Sequence, residues 1–302
     1  MLFAGEPLSA LFLGVLGLLV GSFLNVVIHR LPLMMERRWK EECEQFQAEA
    51  NGEAAGSSLA SAEEKLAEAA EQQTFNLVVP RSRCPHCGHQ IRWFENIPVF
   101  SWLALGRKCS GCKAPISARY PSIEVLTGLL FAFCGWQWGL GYEALAWCGF
   151  SAAIVSLTFI DWDTTLLPDD ITLPLLWAGV CLAALGITEV GLAASVWGAV
   201  VGYLSLWSIY WLFKLTTGKE GMGFGDFKLF AALGAWFGLA SLLPIILIAS
   251  IVGSVIGIAF KLSSNLREGG YIPFGPFLAL GGLGVMLLGS ATMLGWLGLS
   301  VT

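Results

Sequence analysis

The chain has 302 residues, of which 56% are hydrophobic and only 13% are charged. Its repeated apolar stretches are long enough to cross a bilayer core of about 30 Å, which excludes a water-soluble globule and identifies a membrane protein. The formal net charge of -5 selects no acidic or basic partner, because charge in such proteins acts by position along the chain rather than by sum, and nothing points to nucleic acid.

Apolar runs separated by Gly, Pro or charged residues predict an all-α polytopic membrane protein of about eight transmembrane helices. They lie near 8–28, 122–140, 144–160, 171–187, 191–213, 228–240, 242–260 and 275–297. The first run, roughly Leu8 to Ile28, has no basic segment before it and no Ala-x-Ala type of cleavage site after it, so it reads as a retained span. With the N-terminus in the periplasm, segments 29–121, 161–170, 214–227 and 261–274 fall in the cytoplasm. The basic residues agree: twelve of seventeen Lys and Arg lie between Arg30 and Arg119, and the rest are Lys214, Lys219, Lys228, Lys261 and Arg267. All seventeen sit in or at the edge of the expected cytoplasmic segments, as the positive-inside rule requires. The short outside turns carry only Glu143 and Glu189. The expected organisation is a first helix (1–28), a cytoplasmic loop (29–121) and a seven-helix membrane catalytic domain (122–302).

The loop has two parts. Residues 36–74 are rich in Glu, Ala, Gln and Ser and read as a charged insert, helical or partly disordered, acting as a solvated spacer. Residues 80–121 carry cysteines, prolines and aromatics, and predict a small zinc-ribbon-like module. Cys84-Pro-His-Cys87 and Cys109-Ser-Gly-Cys112 form two C-x-x-C pairs twenty-one residues apart. Two residues between cysteines let both thiolates of a turn reach one ion, with Gly88 and Gly111 suiting the tight knuckles. Four thiolates close a tetrahedral shell, so the expected zinc is structural. A pair of disulfides is the competing reading, and a cytoplasmic loop disfavours it because that compartment keeps thiols reduced. His86 and His89 are expected bystanders. Cys134, Cys148 and Cys181 lie in spans, where Cys behaves as a small apolar residue.

All five aspartates fall in two short segments, Asp161-Trp-Asp163-Thr-Thr-Leu-Leu-Pro-Asp169-Asp170 and Gly223-Phe-Gly225-Asp226-Phe-Lys228. A carboxylate beside hydrocarbon is costly and marks a functional site by default. Asp161 follows the apolar run 152–160 and Asp226 precedes the run from Leu229, so both are expected at the same membrane boundary. Asp169 or Asp170 is well placed as a helix N-cap. Gly221, Gly223 and Gly225 would let backbone approach Asp226 closely. Two carboxyls in a poorly solvated site cannot both ionise cheaply; one keeps a proton as general acid while the other activates water.

With these motifs in order, the chain resembles the type IV prepilin peptidases, bifunctional leader peptidases and N-methyltransferases of bacterial inner membranes. The resemblance rests on Gly21-Ser-Phe-Leu-Asn-Val-Val-Ile-His29-Arg-Leu-Pro32, the C-x-x-C pairs and Ser117-Ala-Arg-Tyr-Pro-Ser-Ile-Glu124. It continues in Ile160-Asp161 with Leu167-Pro-Asp169, in Gly223-Phe-Gly-Asp226-Phe-Lys228, and in Pro273-Phe-Gly-Pro276. It implies that Asp161 and Asp226 are catalytic and that Cys84, Cys87, Cys109 and Cys112 bind metal. It also implies prepilin or pseudopilin substrates, cut on the cytoplasmic side after a glycine that ends a basic leader. The new N-terminal residue is then methylated with S-adenosylmethionine as donor.

Two other function classes stand beside this one. Asp161, Asp163, Asp169 and Asp170 could form the magnesium site of a membrane transferase acting on lipid-linked phosphates, or the chain could be a non-enzymatic assembly or transport protein docking through its zinc module. His29 and Glu124, at the cytoplasmic ends of the first two spans, are candidates for lining the site or the methyl-donor pocket, with interfacial anchoring as the plainer role. Gly14, Gly17 and Gly21, and Gly253 and Gly257, have the spacing of close helix contacts.

Overall fold

The computed structural model describes residues 6–50, 75–263, 272–296 and 298. Among these the regular structure is helical, with only two isolated β-bridges, Arg83 with Gln90 and Lys108 with Pro115. The α-helices are α1 (Pro7–Ala50), α2 (Phe100–Ala104), α3 (Arg119–Trp138), α4 (Tyr142–Thr164), α5 (Asp169–Ala184), α6 (Leu192–Thr217), α7 (Phe224–Phe237), α8 (Leu242–Leu262), α9 (Gly275–Leu288) and α10 (Ser290–Trp296).

A helix coincides with each expected span, but among the described residues four are long and apolar enough to cross a membrane: α1, α4, α6 and the stretch Leu239–Leu262 that a 3-10 turn joins to α8. With fourteen residues each, α7 and α9 reach only about 21 Å. Gly289, at φ +81°, ends α9 before α10 resumes. The first helix outruns its expected end at residue 28: it continues through Pro32 to Ala50, because the Glu, Gln, Lys and Arg of the charged insert are good helix formers. Residues 51–74 of that insert lie outside the described residues.

The chain divides into two compact units. One takes in α1 as far as Val15 and the chain from Leu129 onward; the other runs from Leu16 to Gly128. In the first, α7 is the central helix, packed on α5 and α6, while α9 packs on α8 and α4. Its run Leu229–Trp236 is buried on every face. Without a hydrophobic drive between helices in lipid, close backbone approach does the work. A Cβ on Gly198 would land on the Gly234 carbonyl, and one on Gly202 would lie 2.8 Å from the Phe230 carbonyl oxygen. In the second unit, a Cβ on Gly21 would lie 2.7 Å from the Glu124 Cα, so the packing role expected of Gly21 is realised against α3.

Candidate active site and metal centre

Asp161 sits one turn before the end of α4, where Thr165 takes a left-handed conformation and donates its N–H to the Asp161 carbonyl at 2.8 Å. Asp226 is the third residue of α7, which Gly223 caps from outside the helix. Both side chains are buried, at 4% and 3% exposure. The fold brings them together from sixty-five positions apart, near enough for the charge on Asp161 to act on Asp226.

Two glycines make the approach possible. A Cβ on Gly275, the first residue of α9, would land on Oδ2 of Asp161. A Cβ on Gly225 would lie 2.7 Å from the Leu167 Cβ, and Leu167 also stands 3.2 Å from the Gly275 position. Leu167 is thus a wedge that joins the link after Asp161 to the segment before Asp226 and to Pro273-Phe-Gly-Pro276. Gly221 is tight as well, against the Phe213 ring at 2.9 Å, whereas Gly223 is open, its nearest neighbour being the Asp226 carboxylate at 3.9 Å.

The expected capping roles of Asp169 and Asp170 are not what the helix shows. Pro168 occupies the N-cap, with the extended backbone that a cap needs, and both aspartates lie in the first turn of α5. Asp169 instead accepts from Lys228, whose Nζ stands 2.7 Å from each carboxylate oxygen. This ion pair clamps the start of α5 to the start of α7, two residues beyond Asp226. Asp163, Asp169 and Asp170 are exposed while Asp161 is buried. Among the described residues, the one group of three or more His, Cys, Asp and Glu with converging ligand atoms is the cysteine quartet.

That quartet is Cys84, Cys87, Cys109 and Cys112, with all sulfurs within 4.8 Å of one another. Cys84 and Cys112 Sγ are 3.9 Å apart and Cys87 and Cys109 are 4.0 Å apart, close to the edge of about 3.8 Å that a tetrahedron with Zn–S bonds of about 2.3 Å requires. None of the four is in a disulfide. The two halves repeat one backbone pattern. The N–H of Cys84 reaches the His89 carbonyl and that of Cys109 reaches the Ala114 carbonyl, each at 2.9 Å. The left-handed position follows the second cysteine of each pair: Gly88 at φ +70° and Lys113 at φ +61°. Gly88 therefore serves its expected knuckle, but Gly111 does not; a Cβ there would sit 3.4 Å from His89. The backbone N–H groups of His86 and then Cys87 pull the Cys84 thiol down to about 7, towards the thiolate form that binds metal. His89 is engaged beside the quartet, with Nε2 3.2 Å from Glu95 Oε2 and 3.1 Å from Ser110 Oγ. The Arg92 backbone N–H, then the Ser110 hydroxyl, hold Glu95 at about 2.

The sequence as a whole places this arrangement. Residues 15–138 match the model of the bacterial peptidase A24 N-terminal domain, and residues 148–258 match that of the type IV leader peptidase family. The chain belongs to the type IV leader peptidase family. It is 49% identical over 287 residues to the prepilin leader peptidase/N-methyltransferase of Stutzerimonas stutzeri, covering 95% of this chain and 93% of that protein. The Pseudomonas aeruginosa protein of the same name is 48% identical over 287 residues, with the same two coverages. The Aeromonas hydrophila protein of that name is 48% identical over 274 residues, covering 91% and 89%. No solved structure matches.

Of the weaker family candidates, His29 is exposed on α1. Glu124 is buried at 8% exposure and accepts the Val99 N–H at 2.8 Å, tying α3 to the segment before it. Sequence reasoning assigned no role to Arg30, Leu167, Lys228 or Gly275. Arg30, also buried, donates to the carbonyls of Asn76 at 2.9 Å and Pro80 at 2.6 Å. All four did carry a signal, since each stands inside a short motif of the resemblance.

Proposed function

We propose that this chain removes the leader from prepilins or pseudopilins and methylates the new N-terminal residue, with Asp161 and Asp226 as the proteolytic pair. The observation that carries the reading is the convergence of two buried carboxyls, that of Asp161 packed against the Gly275 backbone. In such a setting one carboxyl holds a proton and donates it to the departing amide nitrogen, while the other takes a proton from the attacking water. Having no Cβ, Gly275 lets the Asp161 carboxylate pack directly against the α9 backbone. An apolar substrate helix lying in the bilayer would present its junction at this level, and the relatives' name gives prepilins as the substrates of those proteins.

The second activity takes its methyl group from S-adenosylmethionine, which supplies an electrophilic methyl when bound. Cys84, Cys87, Cys109 and Cys112 hold a structural zinc that fixes the loop module. We further propose eight spans with a periplasmic N-terminus, the loop 29–121 in the cytoplasm and a catalytic domain over 122–302; the distribution of Lys and Arg supports that orientation. Co-expression with a prepilin, followed by mass measurement of its N-terminus, reads cleavage and methylation together. Asp161→Asn and Asp226→Asn should each leave the leader in place, and normal processing by both variants would sink the assignment.

A further inference from the structure

The loop module carries an apolar face that its own fold leaves open. Trp93 is 82% exposed, Phe100 69% and Leu103 57%, with Phe94 and Ile97 exposed beside them. They occupy a 3-10 turn over Trp93–Asn96, the short helix α2, and Ile97 in the link between the two. Polar coil would serve a solvated spacer; large aromatics there require a cover.

The level of this face relative to the bilayer follows from contacts within the same unit. Val99, between the turn and α2, donates its N–H to Glu124, and the Glu124 backbone lies against Gly21 of α1. Asn25, one turn further along α1, donates to the Tyr120 carbonyl at 3.2 Å. Gly21 belongs to the apolar part of α1, the helix near the N-terminus that is long enough to cross a membrane. The exposed aromatics therefore stand beside the end of a membrane crossing.

The charges around them are of one sign. Between residues 77 and 118 the chain has six basic residues, Arg81, Arg83, Arg92, Arg107, Lys108 and Lys113, and one acid, Glu95. All six basic residues are exposed, whereas Glu95 is turned inward on His89 and the Arg92 N–H. Arg92 lies over the Phe94 ring and Arg107 over that of Trp102. Aromatic side chains at headgroup depth with basic residues around them form the pattern of an interfacial anchor on anionic lipid.

We infer that the segment Trp93–Leu103 is seated in the interface of the membrane that α1 crosses, with its aromatics at headgroup depth and the module's Arg and Lys on anionic lipid headgroups. The bilayer then holds the zinc module at a fixed height. The inference depends on α1 crossing the membrane and not on the proteolytic assignment, so either can fail alone.

The test places the photo-reactive amino acid p-benzoylphenylalanine at Phe100 of the full chain, reconstituted in nanodiscs of phosphatidylcholine with or without phosphatidylglycerol. Mass spectrometry after illumination should show a lipid adduct, with phosphatidylglycerol captured roughly threefold above its share of the bilayer. Arg92→Glu with Lys108→Glu should abolish that preference while zinc content and the adduct itself remain. The inference is overturned if Phe100 captures this same chain or no lipid, if added prepilin replaces lipid as the captured species, or if the phosphatidylglycerol preference survives the charge reversal.

Discussion

The two sites are built by opposite means. The cysteine quartet is assembled locally: two copies of one backbone turn, twenty-five residues apart, each set its own pair of thiols with hydrogen bonds among neighbours in sequence. The aspartate pair is assembled by packing: Asp161, Asp226 and Gly275 come from three helices and meet only because α4, α7 and α9 pack in one bundle. A local site survives changes elsewhere in the chain, whereas a distributed one depends on every contact that sets helix position.

The largest effect expected from that contrast is chemical. Asp226→Asn or Asp161→Asn should lower leader removal by about 10³-fold, within the range that proton transfer contributes, with zinc content unchanged. Replacing all four cysteines by serine should do the reverse: the metal, expected at about one zinc per chain, is lost and the module loosens. Fresh protein without zinc would break the local half of the comparison.

Gly275→Ala probes packing rather than chemistry. Its methyl group would collide with the Asp161 carboxylate, and a displacement of about 1 Å is expected to cost about 10²-fold in cleavage. Unchanged cleavage would mean that the carboxyl has room to move aside. Lys228→Gln should cost less, about threefold, because the pair with Asp169 is partly exposed and exposed ion pairs contribute little. Lys228→Arg should restore most of the loss. The smallest expected effect is none: withholding magnesium should leave cleavage unaltered, whereas a transferase using the exposed aspartates would stop.

Legibility in the sequence divides along the same line. The thiol spacing alone placed the quartet, because its geometry is written within each C-x-x-C turn. It misled only in detail, where Lys113 rather than Gly111 takes the left-handed position. The helices were visible as apolar runs, but not the passage of α1 through Pro32, since a charged sequence of good helix formers has no stop signal. The aspartates stood out by their cost beside hydrocarbon, yet their neighbours did not. Leu167 stood in a motif with nothing to mark it as a wedge, Asp169 reads as a cap until Lys228 is seen across from it, and the Gly198–Gly234 contact depends on a helix pairing that no local pattern specifies.

The grip of Arg30 on Asn76 and Pro80 has a consequence for how the chain can vary. Together with Arg37, which lies 4.0 Å over the Phe75 ring, it fastens the chain just after residue 74 back onto α1. Arg37 and Phe75 are thereby held at one place, and adding residues between two points held together costs only a slowly growing entropy. An epitope grafted between those two points should therefore leave both pairs of thiols where they are.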